Sequence, residues 1–157
     1  MRVEYINPFV ESTFNVLKEV LNIDIKRGDL KLKNTSMQIQ GVAAMVGLAG
    51  DVQGRVLFDM NKETALFVAG VMNGGAAFTV FDEMAKDTIQ ELANMITARA
   101  VTKLGGLGFR FDLTPPTLFT GEHMEVSTNI NVEALVVPME LGGNGRLEVN
   151  VAIRERT

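Results

Sequence analysis

Asp87-Thr88-Ile89-Gln90-Glu91-Leu92-Ala93-Asn94 lies inside a strong helical pattern and carries two periodic faces at once. A helix advances about 100° per residue, so steps of four and seven return to nearly the same direction. Ala85, Ile89, Leu92, Ile96 and Ala100 therefore make one apolar face. Asp87, Glu91 and Asn94, at i, i+4 and i+7, make a polar face pointing the other way. An acid and a carboxamide one turn apart, flanked by the small residues Ala93 and Ala98, can reach into another molecule's pocket.

Outward from this stretch, Asp82 caps the helix and Gly105-Gly106 ends it. Gly105-Gly106-Leu107-Gly108 has the look of a phosphate loop, but it follows a helix instead of opening one. Upstream, Asn61 caps a helix holding Ala65, Leu66, Val68, Ala69 and Met72, which stops at Gly74-Gly75. Before it, the run Gly41 to Gly50 predicts a buried strand, Asp51-Val52-Gln53-Gly54 a turn, and Arg55 to Met60 the return strand. At the start, Asn7 caps and Pro8 opens a helix running to about Asn22, with Phe9, Thr13, Val16, Leu17, Val20 and Leu21 at spacings of three and four. Lys26-Arg27-Gly28-Asp29 breaks it, and Leu30, Leu32, Met37 and Ile39 suggest a strand pair or one kinked strand. Downstream, Thr114-Pro115-Pro116-Thr117 is loop, because two prolines fit neither ladder nor helix interior. Val126 to Val137 alternates loosely, Gly142 to Gly145 turns, and Leu147, Val149, Val151 and Ile153 form a period-two strand.

Composition excludes several classes of function. The 157 residues suffice for a single domain, 1–157, with a real core. The net charge of −4 comes without a basic stripe, so nucleic acid and anionic membrane are poor partners. No run approaches the roughly 18 apolar residues of a membrane span. The opening residues hold an acid and a proline where a signal peptide needs an apolar core, which points to the cytoplasm. There is no cysteine, so disulfide and thiol chemistry are excluded. His123 is alone of its kind and sits with Glu122 and Glu125 in a turn, which makes no metal site.

The chain repeats its order of elements. A capped helix, an apolar strand, a turn and Gly54-Arg55-Val56 in the first half answer a capped helix, strands, a Gly-rich turn and Gly145-Arg146-Leu147 in the second. Placing Glu11 over Glu91 puts Asn7 on Asp87 and Phe14 where Asn94 stands. The fold class is α/β, with two pseudo-symmetric repeats and a mainly antiparallel sheet against which long helices pack.

The pattern Asp/Ser-x-x-x-Glu-x-x-Asn on a long helix, the N-terminal helix with Asn-Pro-Phe, and the paired Gly-Arg strands resemble the CheC/CheX/FliY family, phosphatases of chemotaxis response regulators. The likeness spans nearly the whole chain and is nearest to the CheX branch. It implies hydrolysis of the phosphoaspartate on a CheY-type receiver domain, a homodimer formed by strand pairing, and a divalent metal, Mg2+, held by the receiver, with no cofactor on this chain. Only Asp87, Glu91 and Asn94 make a complete set. The first helix keeps Glu11 but has Phe14 at the amide position, so no activity is carried over to it.

An acyl phosphate is already reactive, so its catalyst needs a placed water more than a strong nucleophile. A carboxamide accepts from that water and donates to it without repelling the phosphoryl group; the resemblance likewise gives this role to Asn94. Glu91 is too like in charge to serve as a base there, and the resemblance pairs it with a receiver lysine. Asp87 and Ala98 are assigned to partner contact. Two readings from other classes compete: a non-catalytic flagellar-switch or scaffold module of the same fold, as in the middle domain of FliM, and a small-molecule sensor with a methionine-lined cavity. A stripe of acid and amide on a helix is ordinarily only a solvated face. The nine methionines are ordinarily flexible core filler.

Overall fold

Two long apolar hairpins organise the chain. In a computed structural model, which describes residues 3–33, 37–126 and 133–155, β4 (Val42–Gly50) turns into β5 (Val52–Met60), and β9 (Ala134–Leu141) turns into β10 (Arg146–Glu155). The two hairpins join through β5 and β10, antiparallel and in register from Leu147 opposite Met60 to Glu155 opposite Val52. Short strands complete the sheet: β1 (Ile25–Arg27) and β2 (Lys31–Lys33) pair with β9, while β6 (Phe111–Leu113) and β7 (Thr117–Thr120) pair with β4. The fragments β3 (Met37–Gln38) and β8 (Glu125–Val126) form a second, two-stranded sheet. The pairings β1–β9, β2–β9 and β4–β5 are thus answered, five strands later, by β6–β4, β7–β4 and β9–β10, so the expected repeat is visible in the topology. The equivalence does not reach the Gly-Arg pairs: Gly54 lies within β5, whereas Gly145 belongs to the β9–β10 turn.

Three helices cover one face of the sheet: α1 (Val3–Leu21), α2 (Lys62–Met72) and α3 (Glu83–Gly106). Val42, Ala44, Val46, Phe58, Met60, Val137, Met139, Val149 and Val151 point into that core and are essentially dry. The caps predicted for α2 and α3 are formed: Asn61 accepts from the Thr64 N–H at 2.8 Å and Asp82 from the Ala85 N–H at 2.9 Å.

Several expectations are corrected. Asn7 does not cap α1, which starts at Val3 and carries Pro8 within it. Tyr5 and Ile6, 3% and 2% exposed, explain the extra turn: their burial outweighs the hydrogen bond that Pro8 cannot make. Tyr5 stacks edge-on against Phe109 at 4.9 Å and donates its hydroxyl to Glu155 at 2.9 Å. The helix ends where expected, with Asn22 at a left-handed φ of 51°. Lys26 and Arg27 are strand, not breaker. From Arg27 opposite Met139 to Lys31 opposite Val136, the edge advances four residues against three, a bulge that makes β1 and β2 one kinked strand. The bulge meets Pro138: Gly28 donates to its carbonyl at 2.8 Å, and a Cβ on Gly28 would lie 2.7 Å from the Pro138 ring. The turn between β4 and β5 is tighter than expected, centred on Gly50 (φ 110°) and Asp51. Part of the strand expected from Val126 to Val137 (127–132) lies outside the described residues.

Candidate functional site

The position of α3 is fixed from below. Ala85, Ile89, Leu92, Ala93, Ile96, Thr97, Ala100 and Leu104 are buried against α1, α2 and β4. The polar face is thereby forced outward, and Asp87, Glu91, Asn94 and Ala98 are all exposed. Ala93 is the exception to the sequence reading: it is 1% exposed and belongs to the core, not to the flank of the ridge. Thr97, also buried, satisfies its hydroxyl within the helix by donating to the carbonyl of Ala93 at 2.8 Å. Such back-bonding is the usual recourse of a threonine inside a helix.

Among the described residues, no hydrogen bond or ion pair engages the carboxylates of Asp87 and Glu91 or the carboxamide of Asn94. The neighbouring polar groups are by contrast occupied. Gln90 donates to the Pro116 carbonyl at 3.3 Å, and Lys86 pairs with Glu83 at 3.5 Å. Arg99 grips Glu19 of α1 with two bonds of 2.9 Å. Their hydrogen bond holds the Glu19 carboxyl below its ordinary range and Arg99 above its own. Glu11, the counterpart of Glu91 in the first repeat, pairs with Lys103 at 3.6 Å. Phe14, in the amide position, packs against the core.

One feature beside the ridge escaped the sequence reading. The end of α2 and the first turns of α3 enclose an open depression of about 580 Å³, lined by Met72, Asn73, Met84, Asp87, Thr88 and Glu91. The Asn73 amide donates to the Thr88 hydroxyl at 2.9 Å and to the Ala69 carbonyl at 2.7 Å, tying the two helices together.

A second polar group lies on the opposite face of the sheet, where period-two alternation sends Arg55, Leu57 and Asp59. Arg55 is 3% exposed and Asp59 1%. Burial pulls Arg55 down to about 10 and pushes Asp59 up to about 6. Arg55 is held by Asn150, directly and through its carbonyl. Asp59 faces Glu148 across the β5–β10 ladder and accepts from the Gln40 N–H at 2.9 Å. The sequence gives no sign of this group, because a charged residue alternating with apolar ones in a strand ordinarily marks a solvated face. His123 is an exposed turn residue at φ 56°. Among the described residues no group of three or more His, Asp or Glu is placed to hold a metal, and no helix is long and apolar enough to cross a membrane.

Comparison with known proteins identifies the family. The model of the family described as chemotaxis phosphatase CheX matches residues 42–140, a span that contains all of α3. The CheY-P phosphatase CheX of Thermotoga maritima is 29% identical over 128 residues, which are 82% of this chain and 83% of that protein. In a crystal structure of the CheX–CheY–BeF3–Mg2+ complex from Borrelia burgdorferi, the matched chain is 41% identical, superposes with a TM-score of 0.85, and is covered over 98% of this chain and 100% of its own. A CheC-like superfamily protein from Shewanella sp. PV-4 superposes with a TM-score of 0.88 at 26% identity, over 98% of this chain and 99% of its own. The fold is that of CheC-like proteins, and the matched family is one of chemotaxis phosphatases. This chain belongs to the CheX family.

Proposed function

We propose that this chain hydrolyses the phosphoaspartate of a phosphorylated CheY-type receiver, with Asn94 placing the attacking water and Glu91 docking on the receiver's lysine. The observation that carries the reading is the α3 ridge, on which an acid and a carboxamide are exposed and unengaged while the opposite face is locked in the core. The Borrelia complex, with beryllofluoride standing in for a phosphoryl group and Mg2+ present, supports a receiver as partner and a metal supplied with it.

In this mechanism the water's oxygen bonds to phosphorus as the acyl P–O bond breaks, giving inorganic phosphate and a free aspartate carboxylate. Asn94 accepts one hydrogen bond from the water and adds no charge near the phosphoryl oxygens. Glu91 neutralises the lysine and sets the register of docking. Asp87 contacts the partner one turn away, and Ala98 leaves room beyond Asn94. A homodimer formed by strand pairing is part of the same reading, and light scattering in solution checks it.

The decisive experiment follows phosphate loss from a phosphorylated receiver. The wild-type chain accelerates it, and Asn94→Ala removes the acceleration, about 100-fold or more, with an unchanged circular dichroism spectrum. Full activity in Asn94→Ala sinks the assignment. Tight receiver binding without any hydrolysis by the wild type points to the scaffold reading instead.

A further inference from the structure

Met84, on the first turn of α3, is 58% exposed, one of six large apolar side chains left exposed among the described residues. It lies in line with the functional ridge: Met84, Asp87, Glu91, Asn94 and Ala98 follow one another at spacings of three and four, which keeps them on one face. A partner lying along the ridge far enough to reach Asn94 therefore meets Met84 at its other end. Met72, from the end of α2, faces the same depression. Asn73 bonds to Thr88 at 2.9 Å and so holds the end of α2 against α3 on the two sides of the depression.

An exposed glutamate paired with a lysine in water contributes little to binding. The pair strengthens when the interface dries it, and apolar side chains around the carboxylate do that. A lysine also brings four methylenes, which pack on apolar surface while the ammonium reaches a charge. Methionine's flexible thioether suits this surface.

Resting on the receiver-phosphatase reading above, we propose that Met84, backed by Met72, is a specificity-determining residue of the receiver interface: it packs against the partner beside the lysine held by Glu91 and keeps water from that ion pair. Charge decides the occupant. A second copy of this chain, at net charge −4, would bring its own Asp87 and Glu91 to the contact. A receiver offering a lysine is complementary.

The test measures binding of a CheY receiver charged with beryllofluoride and Mg2+ to the full chain, beside turnover of the phosphorylated receiver. Met84→Ala is expected to weaken binding about tenfold, equivalent to about 1.4 kcal/mol, and to raise KM by a similar factor while kcat stays within about twofold. Its affinity is expected to fall more steeply with salt than the wild type's, because the Glu91 pair is wetted. Met84→Leu restores both quantities. Unchanged affinity and salt slope in Met84→Ala, or a loss confined to kcat, overturns the proposal, as does a Met84-dependent self-association without any effect on the receiver. The binding arm needs no hydrolysis. An intact rate in Asn94→Ala would therefore remove the catalytic assignment, while the affinity of Met84→Ala alone still decides the role of Met84.

Discussion

At the scale of the residue, the proposed mechanism turns on an uncharged group being where a charged one would fail. Asn94→Asp changes the side chain by one heavy atom, yet it sets a carboxylate against the phosphoryl oxygens. It is expected to lose the acceleration as fully as Asn94→Ala, and a phosphate-release assay reads the result; retention of the wild-type rate would show that amide donation is not needed. Glu91→Gln keeps size and removes the charge. It is expected to raise KM several-fold more than it lowers kcat, since the docking role proposed for Glu91 concerns binding, and a drop in kcat alone would contradict it. Asp87, Glu91 and Asn94 were legible in the sequence because periodicity places residues on a helix face without any knowledge of the neighbours. Ala93 was misplaced against that same rule: it stands four residues after Ile89 and shares its buried face. Met84 was illegible for another reason. Its spacing from Asp87 puts Met84 on the ridge face, but methionine is ordinarily core filler, as Met60 and Met139 are at 0% exposure, and only the packing shows Met84 uncovered.

At the scale of the element, α1 shows how tertiary burial overrides a local start signal. Asn7-Pro8 is a sound cap on propensity, but Tyr5 and Ile6 have a core to enter, and the helix extends to meet it. The short strands β1, β6 and β7 escaped notice because three or four residues show no period; pairing with β9 and β4 alone defines them. The caps of α2 and α3 were legible because capping is local. The same helix α1 contains a cost that the structure exposes. Ser12 is 0% exposed, and its hydroxyl has no hydrogen-bond partner among the described residues. A buried unsatisfied hydroxyl costs about 1–3 kcal/mol. Ser12→Ala is therefore expected to stabilise the chain by about 1 kcal/mol and to raise Tm by roughly 2–4 °C, read by thermal or denaturant unfolding. A fall in Tm would mean that the hydroxyl fills space the core needs.

At the scale of the whole molecule, the central strands β5 and β10 are buried on both faces, and the second face is where charge was left inside. Asp59 sits there at 1% exposure, opposite Glu148 on β10, with Gln40 donating to it. Glu148 in turn pairs with Lys33 at 3.9 Å and Arg146 at 3.2 Å. Burial is the largest cause of the upward shift of Asp59 from 3.8 to about 6; Glu148 adds to it, while the Gln40 bonds and Lys33 oppose it. The folded chain therefore holds a proton on Asp59 in a range where the unfolded chain has released it. The stabilisation is fully present below about pH 4 and is lost as pH rises through about 6. At about 1.36 kcal/mol per unit, a shift of this size makes the Asp59 contribution fall by roughly 2–3 kcal/mol across that window. Asp59→Asn keeps the acceptor for the Gln40 N–H and removes the charge. Its unfolding free energy, measured by denaturant titration at intervals from about pH 4.5 to 8, is expected to exceed the wild type's above about pH 6 and to lack the Asp59 share of the decline below it. A variant that tracks the wild-type slope, or is less stable at neutral pH, would show that the Glu148, Lys33 and Arg146 charges around this site need a carboxylate there after all.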